Sequence, residues 1–290
     1  MRLATRGSDL ALAQAELARL ALGAVHPDLQ VELLEVHTRG DELQEVSLES
    51  VEGRGFFTDA LERALGRGEA ELAVHSLKDL PTEIPPPFAL AAILPREDPR
   101  DVVVSPHGGL FDLPAGARVG TDSARRRTQL AAVRPDLEFQ PVRGNVPTRL
   151  RKLDAGEFDA LVLAAAGLFR LGLGDRAAHP LEPEICLPAP GQGAIALEAL
   201  VEGEWVELAR PATHAATEIA VIAERACLAA VGGGCQTATG ALARLEGDRL
   251  VLAAVMVTER GLQRVEVEGD ASDPLACGAD AARRLLDAGI

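Results

Sequence analysis

Residues 71–83 read E-L-A-V-H-S-L-K-D-L-P-T-E. Leu72, Ala73 and Val74 have the composition of a buried strand end, and a strand is expected over 70–74. His75, Ser76, Lys78 and Asp79 then place polar chemistry in a turn, and Pro81 stops the backbone from continuing. A carboxylate beside an ammonium at the end of a parallel strand sits where α/β sheets hold their ligands. The chain has only two lysines, Lys78 and Lys152, so the Lys78–Asp79 pair is not ordinary surface composition. Taken alone, the stretch also reads as a solvated loop after a strand. The segments around it decide between the two.

Upstream, a short strand over 2–5 leads to Ser8, which can cap a helix whose Leu10, Ala11, Leu12, Ala15, Leu17, Ala18 and Leu20 recur at helical spacing. A second strand is expected over 31–36 and a helix over 56–66. Between them, residues 42–55 lack a period and end in Gly53-Arg54-Gly55; such a stretch is a lid or a disordered surface loop. The order β-α-β-α-β implies a parallel sheet with right-handed crossovers. After Pro85-Pro86-Pro87 comes a strand over 89–94. The charged, proline-bounded run 95–101 marks a domain boundary. A second series follows: an extended stretch at 102–104, then strand 117–120, helix 123–133, strand 137–142, helix 145–155, strand 159–163 and helix 165–171. This is again a parallel-sheet pattern. The apolar run 194–197, bounded by glycines and prolines, can return the chain to the first domain. Past Pro211, an amphipathic helix over 215–230 ends at Gly232-Gly233-Gly234. Strands at 238–243, 249–257 and 263–268 and a helix at 274–288 then suggest a small α+β domain with an antiparallel sheet. The expected fold class is α/β, with two α/β domains around a cleft and a small α+β C-terminal domain.

Composition narrows the function. In 290 residues, 47% apolar content allows real cores, and 25% charged residues argue against disorder. A net charge of −15 disfavours nucleic acid and anionic membrane as partners. Aromatics at 3%, with no tyrosine, leave no stacking platform for single-stranded nucleic acid. No apolar run reaches membrane-spanning length and Met1-Arg2-Leu3-Ala4-Thr5 enters a strand directly, so the expected location is the cytoplasm. Cysteines at 186, 227, 235 and 277 lack C-x-x-C spacing, which speaks against a metal site or a disulfide framework.

Against the negative total, residues 118–152 carry nine basic and three acidic side chains. Arg125, Arg126 and Arg127 fall in the first turn of an expected helix, where cations oppose the helix dipole. That placement suits a site where an anion shares the helix N-terminus. Arg6, Lys78, the Arg125–Arg126 pair, and Arg143 with Arg149 put cations at four strand-to-helix junctions. Arginine binds carboxylates through paired hydrogen bonds, so the expected ligand is a small polycarboxylate. Cys235 follows three glycines, which can leave its backbone open and close to a ligand; it can equally be a small buried hydrophobe.

The motifs R-L-A-T-R-G-S-D-L-A (2–11), H-T-R-G-D (37–41), A-V-H-S-L-K-D-L-P (73–81), P-R-E-D-P-R-D (95–101), G-T-D-S-A-R-R (120–126), R-G-N-V-P-T-R-L-R-K-L-D (143–154), A-A-G-L-F-R-L-G (165–172), P-A-P-G-Q-G-A (188–194) and G-G-C-Q (233–236) occur in that order. Together they resemble the porphobilinogen deaminase (hydroxymethylbilane synthase) family along nearly the whole chain. The resemblance implies two domains like those of periplasmic binding proteins plus a third: 1–96 with 188–208, 97–187, and 209–290. It implies a transferase that joins four porphobilinogen molecules head to tail into a linear tetrapyrrole and releases ammonia. It also implies a dipyrromethane cofactor held through a thioether at Cys235, a catalytic Asp79, and a monomer.

By the same resemblance, Arg6, Ser8, Lys78, Thr121, Ser123, Arg125, Arg126, Arg143, Gly144, Arg149 and Arg170 bind cofactor and substrate, with Gln192 near the domain crossover. Three positions depart from the family's pattern: Arg54 and Asp59 stand where lysines are common, and Asp122 where serine is usual. The competing reading is a two-domain binding module for a small polycarboxylate. It predicts an export signal or a fused DNA-binding segment and gives the Gly-Gly-Gly-Cys turn no role.

Overall fold

A computed structural model describes residues 1–36, 58–232, 238–258 and 260–289. The H-T-R-G-D motif, the 42–55 stretch with Arg54, and Cys235 lie outside the described residues. The chain divides into two compact units, Met1–Glu97 with Ala194–Glu218, and Asp98–Gly193 with Ile219–Ile290.

The first unit begins with β1 (Arg2–Arg6), α1 (Asp9–Val25), β2 (Glu32–Val36), α2 (Asp59–Gly66), β3 (Leu72–Ser76) and β4 (Phe88–Ile93). Ser8 caps α1 as expected, its hydroxyl accepting the Ala11 N–H at 3.3 Å. Helix α1 packs through Ala15, Ala18 and Leu22 onto Leu3, Leu72 and Val74. Leu17 and Leu20, expected on its apolar face, are 42% and 55% exposed; the alanines, not the larger leucines, seat the helix on the sheet. Alternate residues of the same strands, Ala4 and Ala73, meet Leu61 and Leu65 of α2 on the other face. Asp59 is the first residue of α2 and is exposed, where a carboxylate suits the helix dipole.

The second unit continues with β5 (Asp101–Val104), β6 (Arg118–Gly120), α3 (Ala124–Val133), β7 (Glu138–Gln140), α4 (Val146–Asp154), β8 (Ala160–Ala164), α5 (Ala165–Arg170) and β9 (His179–Pro180). The chain then returns to the first unit as β10 (Ile195–Leu200) and α6 (Trp205–Ala209). It closes with α7 (Ala215–Ala230), β11 (Gly240–Glu246), β12 (Arg249–Thr258), β13 (Gly261–Asp270) and α8 (Pro274–Gly289).

Three sheets result: β2-β1-β3-β10-β4, β7-β6-β8-β5-β9 and β11-β12-β13. This is the expected class, two α/β sheets and a small antiparallel sheet with helices. The five-stranded sheets are not purely parallel, however. β10 runs antiparallel to β3 and β4, and β5 runs antiparallel to β8 and β9. In each sheet the reversed strand is the first that the chain forms after passing from one unit to the other. It therefore enters the sheet from the opposite end to the strands built by β-α-β crossovers. In the third sheet, Leu250, Leu252 and Ala254 pack against Ala220, Ala223 and Cys227 of α7 and Cys277, Ala281 and Leu285 of α8. Gly278 permits the close crossing of the two helices, since a Cβ there would lie 2.6 Å from the Ala226 Cβ.

Candidate active site

The 71–83 stretch is more ordered than the sequence suggests. β3 runs on to Ser76, so His75 and Ser76 belong to the strand and not to the turn. The extension has a cause in the partner strand: Ile195 and Ala196 of β10 pair with Ser76 and His75. His75, 6% exposed, places Nε2 at 2.9 Å from Oε2 of Glu198, which is completely buried. Oε1 of Glu198 has no hydrogen-bond partner among the described residues. Burial, and then the charges of Glu198 and Asp59, raise the pKa of nearby Glu62.

Leu77, Lys78 and Asp79 form one 3-10 turn after the strand. Three contacts fix it. Leu77 is fully buried and donates its N–H to Ala194 O at 3.0 Å. Leu80 donates its N–H back to Leu77 O at 3.2 Å. Just before the turn, the buried Gln14 of α1 donates Nε2–H to the Ser76 hydroxyl at 2.8 Å. The result is a half-buried Lys78 and an exposed Asp79 on a backbone held at both ends. An accessible, held carboxylate can stabilise a developing cation and exchange a proton with a ligand.

In the second unit the arginines fall into two groups. Arg125 and Arg126, read as awaiting an outside anion, already have one from the chain. Asp101, completely buried at the start of β5, accepts from Arg125 Nη1 at 2.7 Å and from Arg126 Nε and Nη2 at 3.0 and 2.7 Å. Burial alone pushes the Asp101 pKa up, but the two guanidinium groups outweigh it and hold the carboxyl well below the usual carboxylate range. Arg125 also donates to Leu187 O at 2.6 Å and Arg126 to Val162 O at 2.8 Å. The two are only 5% and 7% exposed. Any contact they make with a ligand must use N–H groups that these partners leave over. Gln129, which the sequence did not single out, completes this cluster through Leu187 O and the Leu187 N–H, at 3.0 and 2.8 Å.

The other group is Arg143, Arg149 and Arg170. Gly144 turns at φ +103, and a Cβ there would meet Thr148 Cγ2 at 2.6 Å. This turn starts α4, with Asn145 as its cap, and Arg149 Nε donates back to Gly144 O at 2.8 Å. Burial, then the Arg126 cation, lowers the Arg149 pKa; Asp122 opposes this and Arg143 adds to it. Asp122 therefore faces the cluster and does not point away from it, with Oδ2 at 3.4 Å from Arg143 Nε. Ser123 caps α3, accepting the Arg126 N–H at 3.3 Å, and retains its own O–H for donation. Thr121 is 2% exposed and its Oγ1 accepts the Ser123 N–H at 3.2 Å, so it shapes the turn from inside. Arg170, at the end of α5, donates to Gly193 O at 2.6 Å. Gln192 is buried and donates to Pro99 O at 2.7 Å and to Asp101 Oδ1 at 2.8 Å.

The donor set suits a ligand with several carboxylates. Arg126 is paired with Asp101, and Asp122 alone opposes the repulsion that Arg126 and Arg143 exert on Arg149, a repulsion that an added anion would relieve. Thus the structure brings Thr121, Ser123, Arg125, Arg126, Arg143, Gly144, Arg149, Arg170 and Gln192 together in one unit, and Arg6, Ser8, Lys78 and Asp79 in the other. Sequence reasoning missed Asp101, Glu198, Gln14 and Glu224. For Glu198 a signal exists: it is a lone carboxylate inside an otherwise apolar run. The three described cysteines are all buried. Burial raises Cys186 and Cys227 to about 12 and raises Cys277 as well. Among the described residues, no helix is long and apolar enough to cross a membrane.

The comparisons with known proteins agree along the chain. Residues 1–207 match the family model described as "Porphobilinogen deaminase, dipyromethane cofactor binding domain", and residues 218–287 match "Porphobilinogen deaminase, C-terminal domain". A porphobilinogen deaminase from Desulforudis audaxviator (strain MP104C) is 50% identical over 98% of this chain and 94% of its own length. One from Stenotrophomonas maltophilia (strain K279a) is 49% identical over 100% and 97%, and one from Roseiflexus sp. (strain RS-1) 48% identical over 98% and 95%. Among solved structures, the periplasmic VFT2 domain of Bordetella pertussis BvgS superposes with a TM-score of 0.42 at 18% identity, covering 73% of this chain and 86% of that one. A substrate-binding domain of a putative amino acid ABC transporter from Streptococcus pneumoniae superposes with 0.43 at 13% identity, covering 73% and 90%.

Proposed function

The chain belongs to the porphobilinogen deaminase family, and on that premise we propose a role for each residue of its site. The enzyme is a transferase of tetrapyrrole biosynthesis: it polymerises porphobilinogen, with loss of ammonia, into a linear tetrapyrrole and carries the family's dipyrromethane cofactor-binding domain. The reading as a polycarboxylate-binding module is not favoured.

When bound, the dipyrromethane supplies the terminal pyrrole to which new rings are joined. Loss of ammonia from porphobilinogen leaves an electron-poor azafulvene, with positive charge on the pyrrole nitrogen. Asp79 is the catalytic residue. Its accessible carboxylate stabilises that charge at the pyrrole N–H and handles the proton displaced as rings join. Each pyrrole brings an acetate and a propionate. Arg6, Ser8 and Lys78 on the first unit, and Ser123, Arg143, Arg149 and Arg170 on the second, hold these carboxylates. Arg126 adds its remaining N–H groups, while Arg125, Thr121, Gly144 and Gln192 shape the surfaces from behind. Cys235 carries the thioether. The three described cysteines are buried with raised pKa values, which makes them poor nucleophiles.

The observation that carries this reading is the turn itself: an exposed Asp79 beside Lys78 on a backbone fixed by Gln14, Ala194 and Leu77. The three-part division 1–96 with 188–208, 97–187 and 209–290 assigns catalysis, carboxylate binding and cofactor attachment to separate parts. We further infer, from the net charge of −15 and the scarcity of aromatics, a protein that does not bind nucleic acid, and, from the family resemblance, a cytoplasmic monomer. The test is Asp79→Asn. It is expected to fold and to keep its cofactor while losing roughly 100-fold or more in kcat, the usual cost of removing an electrostatic stabiliser. Turnover within a few-fold of the parent would remove Asp79 from its role.

A further inference from the structure

Two completely buried carboxylates, Glu198 and Glu224, are not used by this mechanism. Glu224 lies on α7, is completely buried, and accepts two backbone N–H groups from distant segments: Gly191 to Oε2 at 2.7 Å and Ala243 to Oε1 at 2.8 Å. Gly191 belongs to the Pro188–Gly193 turn, which needs positive φ at both Gly191 (+74) and Gly193 (+87). The next residue, Gln192, donates to Asp101, which holds Arg125 and Arg126. Gly193 accepts from Arg170. Through the Gly191-Gln192-Gly193 backbone, two buried hydrogen bonds and one part-buried bond therefore join α7 to the elements that carry Arg126 and Arg170. Every member lies in the second unit. In sequence, α7 is also the helix that precedes Cys235.

We propose that Glu224 is a positioning residue: by gripping the Gly191 and Ala243 N–H groups it sets the register between α7 and the Arg126–Arg170 side of the unit. The tethered primer's carboxylates then fall where the guanidinium groups can take them. An apolar residue would fill the same space in a helix that otherwise packs by alanines and Cys227. It would bind neither N–H. A buried carboxylate with two backbone donors is rigid, because leaving either donor without its acceptor is costly. The proposal rests on the assignment of Cys235 as the attachment point.

The test compares Glu224→Gln and Glu224→Ala with Val267→Ala, a cavity variant in the core packed by α7 and α8. The proteins are expressed in full and purified. Holo fraction is read by intact mass, attachment by peptide mapping, stability by thermal melting, and kcat and KM on the loaded fraction. Glu224→Gln keeps the shape but turns an amide donor toward a backbone donor. It is expected to reduce the holo fraction and to raise KM about tenfold or more, whereas Val267→Ala loses a comparable Tm with normal loading and KM. Glu224 variants that load and bind substrate as the parent does, or that fall only as far as Val267→Ala at equal Tm loss, overturn the proposal. If Glu224→Gln fails to fold, the same comparison is made with Gln192→Leu, which breaks the next link and is expected to raise KM in the same direction; normal loading and KM there also overturn it. An adduct mapped in the parent to a residue other than Cys235 sinks the attachment assignment instead, and the mass map tells the two failures apart.

Discussion

Asp101→Asn is the substitution whose effect is most fully determined by this structure. The carboxylate is completely buried and takes three hydrogen bonds from Arg125 and Arg126 and a fourth from Gln192, between 2.7 and 3.0 Å. The variant keeps the shape but removes the charge. It leaves two guanidinium groups at 5% and 7% exposure with no anion between them, and turns an amide N–H toward one of the donors. Removing one partner of a buried ion pair costs about 3–5 kcal/mol. At roughly 2–4 °C per kcal/mol for a domain of this size, the second unit is expected to melt about 10 °C lower. The pH profile supplies a second sign. Because the folded pKa of Asp101 is depressed, its stabilisation is fully present above the unfolded carboxyl value of about 4. It is lost as pH falls from there toward the lower folded value. The parent should therefore lose stability below about pH 4 more steeply than Asp101→Asn. Thermal melting by circular dichroism across pH checks both. A melting point within about 2 °C of the parent, or identical acid limbs, would refute the claim that Asp101 anchors this part of the fold.

Two further substitutions probe the arginine surface. Gly144→Ala is expected to cost about 2–3 kcal/mol by denaturant melts, because φ +103 disfavours any side chain and the new Cβ would strike Thr148; it should also raise KM, since Arg143 and Arg149 flank the turn. Arg149→Lys keeps the charge but loses the Nε–H bond to Gly144 O, and steady-state kinetics should show KM raised several-fold with kcat nearly unchanged, as expected for a lost planar fork.

Local chemistry made much of the fold legible. Helix α7 occupies 215–230 as its amphipathic period and glycine stop require, and the three strands of the last sheet lie where glycines and charges bracket apolar runs. What stayed hidden depends on partners remote in sequence. Strand direction at β5 and β10 follows from how the chain crosses between units, which no local period records. His75 looked like part of a polar turn because the strand that draws it into the sheet, β10, lies far along the chain, with Ala196 pairing its backbone and Glu198 meeting its ring. The cations at the start of α3 correctly signalled a missing anion, yet the anion they meet is Asp101, supplied from another strand. The short helix at 205–209 and the two-residue strand at His179–Pro180 are too brief to leave a periodic trace. Asp79, Lys78 and the arginines were singled out because the proposed reaction calls for those residue types. The polar groups buried around them, Gln14 on Ser76, Asp101 on Arg125 and Arg126, and Glu224 on the Gly191 N–H, are ordinary residues until the fold buries them.

The central claim is that one thiol, Cys235, anchors the pyrrole primer on which Asp79 acts. Intact mass of freshly purified protein, followed by peptide mapping, addresses it directly. The account predicts a two-ring pyrrole adduct confined to the peptide containing Cys235, with Cys186, Cys227 and Cys277 unmodified. An unmodified Cys235 in active protein, or an adduct on any other residue, would contradict it.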